Sequence, residues 1–256
     1  MKFQILISTV NNNYNLEKYK YFYYLIINQL LDLNMECKSK NKHILCFYEK
    51  GLSKSRNCAI KYSDADICLI SDDDVIYKED IDKVIISIFK KYQDVDIITF
   101  QIETPEGELY KNYKNNIYMH NKKSIMGVSS IEIVFRRKSI VDNKLYFDEL
   151  FGLGSVFPTG EEVIFLADAL DKGLKILYVP IPIVQHPKES SGKNYDKREL
   201  IMAKGAMFYR IFGNFAYIII FIFAFKKFKL SKKYNYFKFM KYLFKGIQQY
   251  KKRLDK

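Results

Sequence analysis

The stretch ICLISDDDV, residues 67–75, joins a short apolar run to three consecutive aspartates. The run is typical of a buried strand, and side chains that directly follow such a strand lie at the carboxyl edge of an α/β sheet, where these proteins bind ligands. Asp72, Asp73 and Asp74 would repel one another there, and a divalent cation relieves that repulsion. Their hard oxygen ligands suit Mg²⁺ or Mn²⁺. The alternative is that the aspartates cap the helix that follows.

Strands and helices are predicted to alternate on both sides of this stretch. Compact apolar runs predict buried strands, and apolar residues spaced along one face predict helices. The predicted strands cover residues 3–10, 23–27, 67–70, 95–100, 128–135 and 174–179, and the predicted helices cover residues 53–62, 79–92 and 161–170. This alternation predicts a mainly parallel, three-layer α/β sandwich. The polar residues 102–124 predict a long excursion over the surface.

The cysteines and the N-terminus predict a cytoplasmic protein. Cys37, Cys46, Cys58 and Cys68 lie in or beside apolar stretches and lack the close C-x-x-C pairing of a zinc or redox site. We expect all four to be small buried thiols in a reducing compartment. The first eight residues form an apolar run too short for the core of a signal peptide, so translocation across a membrane is not expected.

The positive charge of the chain belongs to one segment. The formal net charge is +13, and eleven of these thirteen charges lie after Phe225, which leaves the body of the protein almost neutral. A basic surface spread over the whole domain would have indicated a nucleic acid partner. The concentration of charge in the tail argues against nucleic acid.

The same tail carries two apolar segments. Residues 211–225 are almost wholly apolar, but as a helix they would reach only about 22 Å, short of the roughly 30 Å hydrocarbon core. The next segment places apolar residues on one helical stripe, with lysines around the rest of the helix: Tyr236, Met240, Leu243, Phe244, Ile247, Tyr250 and Leu254. This pattern predicts that residues 211–256 bind a surface of anionic lipid. The alternative is a core-packing helix with a solvated basic face.

Three further motifs could carry chemistry. The segment GLSKSRN, residues 51–57, places Ser53 and Arg56 at the start of a predicted helix, where backbone amides and a guanidinium suit phosphate or a nucleobase. Glu161 and Glu162 begin another predicted helix after a glycine-rich stretch, and either could act as a general base. Acids are favoured in a first helical turn in any case. His186 is a candidate metal or phosphate ligand, although a single histidine is more often structural.

The order and spacing of these pieces resemble the family 2 glycosyltransferases of the GT-A fold, and most closely a bacterial subgroup associated with surface polysaccharides. The resemblance covers roughly residues 3–190. Its carriers are ILISTVNN, YLIINQ, GLSKSRNCAI, DICLISDDDVIY, EIVFRR, FDELFG and GEEVIFLADALDKGLKILYVP.

The resemblance implies a nucleotide-sugar donor and assigns roles to the candidate residues. Ser8 and Thr9 would lie under the nucleotide, with Asn28 or Gln29 near the base and Arg56 approaching the base or the phosphates. Asp72 and Asp73 would lie near the ribose and diphosphate, and Asp74 would hold Mn²⁺ or Mg²⁺. Relatives usually carry Glu-Asp at the helix start, with the aspartate as the base. Here Glu161-Glu162 stands in that place, so Glu162 is the expected base and Glu161 the alternative.

The sequence therefore predicts an inverting, metal-dependent transfer of a sugar to a glycan or lipid-linked acceptor at the inner face of the membrane. Residues 1–200 would form the catalytic domain and residues 201–256 the membrane-associating tail. One rival is a sugar nucleotidyltransferase, although the turn after the first strand lacks the glycine-rich basic loop common in that class. The other is an inactive membrane-associated scaffold that binds nucleotide sugar.

Overall fold

A computed structural model describes residues 1–38, 41–187 and 195–255. Within these residues nine strands form one sheet: β1 (Phe3–Val10), β2 (Tyr24–Gln29), β3 (Ile44–Phe47), β4 (Ile67–Asp72), β5 (Ile76–Tyr77), β6 (Ile97–Glu103), β7 (Tyr118–Met119), β8 (Ile133–Arg136) and β9 (Ile176–Gln185). The α-helices are α1 (Leu52–Tyr62), α2 (Ile81–Lys91), α3 (Arg137–Asp142), α4 (Glu161–Asp171), α5 (Arg198–Phe212), α6 (Ala216–Lys227) and α7 (Tyr236–Leu254).

The strand order is β3-β2-β1-β4-β8-β6-β9-β5, and β7 pairs with β9. The pairs β3–β2, β2–β1, β1–β4 and β6–β9 are parallel, whereas β8 runs antiparallel to both β4 and β6. The predicted mainly parallel sheet is therefore confirmed. Because β1, β2 and β4 are parallel neighbours, their carboxyl ends meet at one edge.

Helices cover both faces of the sheet, which gives the three predicted layers. Side chains alternate along each strand, so Leu6 and Ile70 belong to one apolar cluster while Ile5 and Leu69 belong to the other. The first cluster includes buried residues of α1, α4, α5 and α7, and the second includes the apolar face of α2.

Two glycines allow α5 and α7 to cross at backbone contact. A Cβ on Gly205 would lie 2.1 Å from the carbonyl oxygen of Leu243, and a Cβ on Gly246 would lie 1.9 Å from that of Met202. Real Cβ atoms do not approach so closely, so glycine is required at both positions. The division of the chain at residue 200 stays a prediction, but the helices beyond that point share a core with the sheet.

The apolar stripe of α7 does not face outward, as the membrane interpretation expected. Met240, Leu243, Ile247 and Tyr250 are buried in the core against α5. The alternative interpretation of a core-packing helix with a basic outer face is therefore the correct one for α7. Four exposed apolar side chains, Ile218, Phe221, Ile222 and Phe225, lie close together on α6.

The expectation of four buried thiols is confirmed for Cys68 and is wrong for the two cysteines that form a disulfide. Cys37 and Cys46 form a disulfide with their Cα atoms 6.0 Å apart, which places Cys37 beside β3. Cys58 and Cys68 are free, and of these Cys68 is buried while Cys58 is half-buried.

Candidate active site

The polar ends of three parallel strands meet at one edge of the sheet. Thr9 pairs in register with Asn28, and Ser8 with Asp72, so the predicted donor-binding residues on β1, β2 and β4 converge. The chain turns sharply after β1, where Asn11 and Asn12 adopt positive φ angles of 51° and 61°. Asparagine tolerates this conformation better than most residues, which fits the Asn-rich turn seen in the sequence.

The side chains on β2 hold the loops around this edge. Asn28 accepts a hydrogen bond from the backbone amide of Asn12 at 3.0 Å and donates to the sulfur of Cys46 at 3.3 Å. Gln29 donates to the carbonyl oxygen of Gly51 at 3.1 Å. The two residues expected near a base are thus buried beneath the surface that they organise.

The serines contribute to the same scaffold. Ser55 Oγ donates to Ser8 Oγ at 2.8 Å, which ties α1 to the end of β1. Ser53 lies inside the first turn of α1, whose N-cap is Gly51, and its hydroxyl donates to the carbonyl oxygen of Phe151 at 2.6 Å. Ser53 therefore joins the helix to the loop that precedes Glu161.

Arg56 lies beneath the edge as a buried bridge between two acids. Its side chain is 2% exposed, Nη2 donates to Asp72 Oδ1 at 3.0 Å, and Nη1 donates to Glu161 Oε1 at 2.9 Å. The predicted contact of Arg56 with a base or phosphate stays a prediction. In this structure its guanidinium links the acidic end of β4 to the start of α4.

Asp73 is held by the turn after β1. Thr9 Oγ1 donates to its carboxylate at 2.5 Å and Asn13 Nδ2 at 3.2 Å, while Lys18 Nζ donates to its backbone oxygen at 3.2 Å. Burial raises the pKa of Asp73, and the hydrogen bond from Thr9 opposes that shift.

Asp74 and His186 come together at the outer rim. His186 Nε2 lies 3.4 Å from Asp74 Oδ2, with Asp74 mostly exposed and His186 mostly covered. No group of three or more potential metal-binding side chains is present in the part of the chain that the structure describes. One carboxylate and one imidazole still fit Mn²⁺ or Mg²⁺ when substrate phosphates and water supply the other ligands.

Glu161 and Glu162 occupy different environments at the start of α4. Glu161 is buried and its carboxylate is bound to Arg56, whereas Glu162 is partly exposed. Burial, followed by the charge of Glu161, raises the pKa of Glu162 to about 7, and the positive charge of Lys204 opposes that shift. A carboxyl group with a pKa near 7 suits a general base at neutral pH.

Helix α5 shapes the loop that presents Glu162. Gly160 has a φ of 103°, and a Cβ there would lie 2.8 Å from the sulfur of Met207. Lys204 Nζ reaches Thr159 Oγ1 at 3.5 Å. The loop before α4 is thereby fixed against a helix that the sequence assigned to the tail.

The sequence did not predict several of the residues that form this site. Lys204 is distant along the chain and occupies an ordinary helical position, so no sequence signal marks it. Asn13 and Lys18 could have been found because they follow the β1 strand whose end forms the site. Tyr19 is fully buried, and its hydroxyl approaches the backbone oxygen of Asp73 at 3.5 Å.

Comparisons with known proteins agree with this architecture. The model of the family described as glycosyl transferase family 2 matches residues 27–153. This region contains the predicted base-binding residues, Arg56 and the aspartate cluster, but not Glu161 and Glu162. No curated protein sequence matches the chain significantly.

Solved structures of S. aureus TarS resemble this chain in fold. The complex of TarS 1–349 with UDP has a TM-score of 0.55 and 16% identity over 83% of this chain and 67% of that chain. The complex with UDP-GlcNAc has a TM-score of 0.59 and 14% identity over the same shares. A longer TarS structure has a TM-score of 0.60 and 15% identity, with 91% of this chain covered but 44% of TarS. These similarities confirm a GT-A-like fold.

Proposed function

We propose that this protein is a family 2 glycosyltransferase that transfers a sugar from a nucleoside diphosphate to a hydroxyl acceptor, with Glu162 as the base. The observation that carries the proposal is the contrast between the two acids at the start of α4. Arg56 engages Glu161, whereas Glu162 is largely buried, and that burial together with the charge of Glu161 raises its pKa to about 7. The family match and the TarS complexes with UDP and UDP-GlcNAc support a nucleotide-sugar donor.

The proposed reaction is a single displacement. Glu162 takes the proton of the acceptor hydroxyl as that oxygen forms a bond to the anomeric carbon of the donor sugar. The bond between the anomeric carbon and the diphosphate oxygen breaks, and its electron pair leaves with the nucleoside diphosphate. Attack opposite the leaving group inverts the configuration at the anomeric carbon.

Asp74 and His186 would hold a divalent ion near the diphosphate, with Asp72 and Asp73 at the ribose and phosphates. The ion, when bound, offsets negative charge on the leaving diphosphate. Asp73 is already fixed by Thr9 and Asn13, so the donor would meet a rigid edge. We propose an acceptor glycan or lipid-linked glycan of bacterial surface polysaccharide, consistent with the sequence resemblance.

The test is a panel of nucleotide sugars scored for release of nucleoside diphosphate with Mn²⁺. Glu162→Gln should lower turnover by about 10²-fold or more while donor affinity stays within a few-fold. Glu79→Gln is the matched control, because Glu79 is exposed and lies outside the site. Release of pyrophosphate from a nucleoside triphosphate in the presence of a sugar phosphate, with formation of a nucleotide sugar, would instead support the nucleotidyltransferase. Donor binding without turnover would support the scaffold.

We also propose that the protein associates with the inner membrane face through α6. Exposed apolar residues are spaced along one face of this helix and at its N-cap residue Phe215, and each is between half and three quarters exposed: Phe215, Ile218, Phe221, Ile222 and Phe225. Lys226 and Lys227 follow this surface directly at the end of α6 and suit anionic lipid.

A transmembrane arrangement of the same region is less well supported. The helical stretch Arg198–Leu230 has 33 residues and a mean hydropathy of 1.8, so it could cross a membrane by length and composition. However, α5 packs in the core and ends at Gly213, whose φ is 55°. The 12 residues of α6 extend about 18 Å, which is too short to span a bilayer alone.

Liposome flotation tests the association. Replacing Phe221 and Phe225 with serine should reduce flotation on anionic vesicles, and high salt should weaken wild-type binding without abolishing it. The matched control replaces Tyr21 and Leu33 with serine and should leave flotation unchanged, because both are highly exposed apolar residues outside the tail. Equal flotation of wild type and the α6 variant would contradict the proposal.

A further inference from the structure

Two adjoining cavities border α7. The first lies between α5, α7 and the loop that leads to α4, whereas the second is lined by α7 and its N-cap residue Asn235. The first has a volume of about 310 Å³ and the second about 380 Å³, and both are lined by Tyr242 and Lys245. The first lies against Val156 and Phe157 of the loop. Together they are large enough for a small ligand.

Basic side chains dominate the lining. Arg198, Lys238, Lys241 and Lys245 contribute four positive charges, and Glu199 contributes the single acid among the lining residues. Arg198 and Glu199 pair with each other, because Arg198 Nε donates to Glu199 Oε1 at 2.7 Å, so the three lysines carry the remaining positive charge. The local charge therefore favours a ligand that carries more than one negative charge.

The cavities also combine this charge with an apolar and aromatic wall. Met202 of α5 and Phe157 of the loop line the first cavity, and Phe237 lines the second. Phe237 is 81% exposed, so the second cavity opens toward solvent beside an apolar ring. A ligand that joins a phosphate to an apolar or sugar group would match both features.

The loop connects these cavities to the proposed base. Gly152 donates its amide to the carbonyl oxygen of Phe157 at 2.9 Å, and the Phe151 and Phe157 rings stack at 4.9 Å. Both rings also contact Tyr250 of α7. The first cavity is therefore bounded by the same loop that continues through Thr159 to Glu162.

We propose that these cavities bind the phosphate of a phosphorylated acceptor, and that they thereby help to direct its hydroxyl toward Glu162. This inference rests on the proposed transfer reaction, but phosphate binding itself can be measured without it. The phosphate could belong to a lipid carrier or to a water-soluble phosphorylated glycan. The two sources share the phosphate group that Lys245 and the neighbouring Lys238 and Lys241 would recognise.

Calorimetry with three probes tests the proposal on the full-length protein saturated with UDP and Mn²⁺, so that the donor site is blocked. Farnesyl phosphate represents the lipid source, glycerol phosphate the soluble source, and farnesol supplies the same hydrocarbon without charge. At least one phosphate should bind, and Lys245→Gln should weaken that binding by about tenfold, the scale of a lost charge-assisted hydrogen bond. Tighter binding of farnesyl phosphate would identify the lipid source, and tighter binding of glycerol phosphate the soluble one.

Lys252→Gln is the matched control, because Lys252 is an exposed lysine of the same helix that lines neither cavity. Lys245→Arg should retain binding. The proposal is overturned if neither phosphate binds at millimolar concentration, if farnesol binds as tightly as its phosphate, or if Lys252→Gln weakens binding as much as Lys245→Gln. A separate titration with UDP reports the donor site, so failure of that site is distinguishable from failure of the cavities.

Discussion

Removing Arg56 should destabilise the protein far more than removing a surface cation. Arg56 and Glu161 have side chains that are 2% and 8% exposed, and their contact is 2.9 Å. Within the described residues, Arg56 Nε and Glu161 Oε2 have no hydrogen-bond partner, so each residue depends on the contacts that it does make. Arg56→Met would leave Glu161 buried without its cation and Asp72 without its donor.

Breaking a buried ion pair from one side costs about 3–5 kcal/mol in the free energy of unfolding. For a chain of this size, about 2–4 °C per kcal/mol gives a fall in Tm of about 6 to 20 °C. Lys138→Met is the control, because Lys138 is 87% exposed and pairs with Asp142 one helical turn away. Its loss should cost under about 1 kcal/mol.

Urea denaturation of Arg56→Met, Glu161→Gln and the double variant gives a double-mutant cycle for the Arg56–Glu161 pair. The double variant should be less destabilised than the sum of the two single variants, because the second change removes the carboxylate that the first leaves unpaired. Strict additivity, or a loss for Arg56→Met as small as that for Lys138→Met, would refute the argument that this bridge holds β4 to α4.

Two further predictions concern the metal and the helix crossing. Asp74→Asn should remove the Mn²⁺-dependent part of UDP affinity in calorimetry with little change in stability, since Asp74 is 65% exposed. Asp80→Asn is the control and should leave that affinity unchanged. Persistence of the Mn²⁺ effect in Asp74→Asn would exclude Asp74 as a ligand. Gly246→Ala should cost at least about 2 kcal/mol by chemical denaturation because its Cβ would meet the Met202 carbonyl oxygen. Gly127→Ala, whose Cβ meets no heavy atom within 4 Å among the described residues, should be nearly neutral, and equal stabilities would contradict the close crossing.

The sheet could be predicted where burial on both faces leaves a continuous apolar run. β1, β2 and β4 are such runs, and their polar ends predicted the edge at which Thr9, Asn28 and Asp72 meet. The antiparallel direction of β8 was not predicted, because an apolar run carries no information about strand direction. The strand β5 was not predicted, because two residues are too few to show the alternation of apolar and polar side chains that marks a strand.

The tail shows why an amphipathic pattern alone does not identify its partner. An apolar stripe such as that of α7 has the same sequence pattern whether it contacts lipid or another helix. In this structure the close crossing at Gly205 and Gly246 packs the stripe against α5. Lys204 was missed for the same reason, since its place near Thr159 depends on how α5 packs. The Cys37–Cys46 disulfide likewise depends on the placement of Cys37 beside β3, which spacing along the chain does not reveal.

The central claim is that Glu162 is the base, and the pH dependence of kcat/KM tests it most directly. Because the carboxylate form is active and its pKa is raised to about 7, kcat/KM for nucleotide-sugar turnover should rise with pH and level off above that value. Lys204→Gln should move the rise to higher pH, since Lys204 favours the ionised form. A profile that stays flat across about pH 5 to 9, or a rise that persists unchanged in Glu162→Gln, would contradict the account.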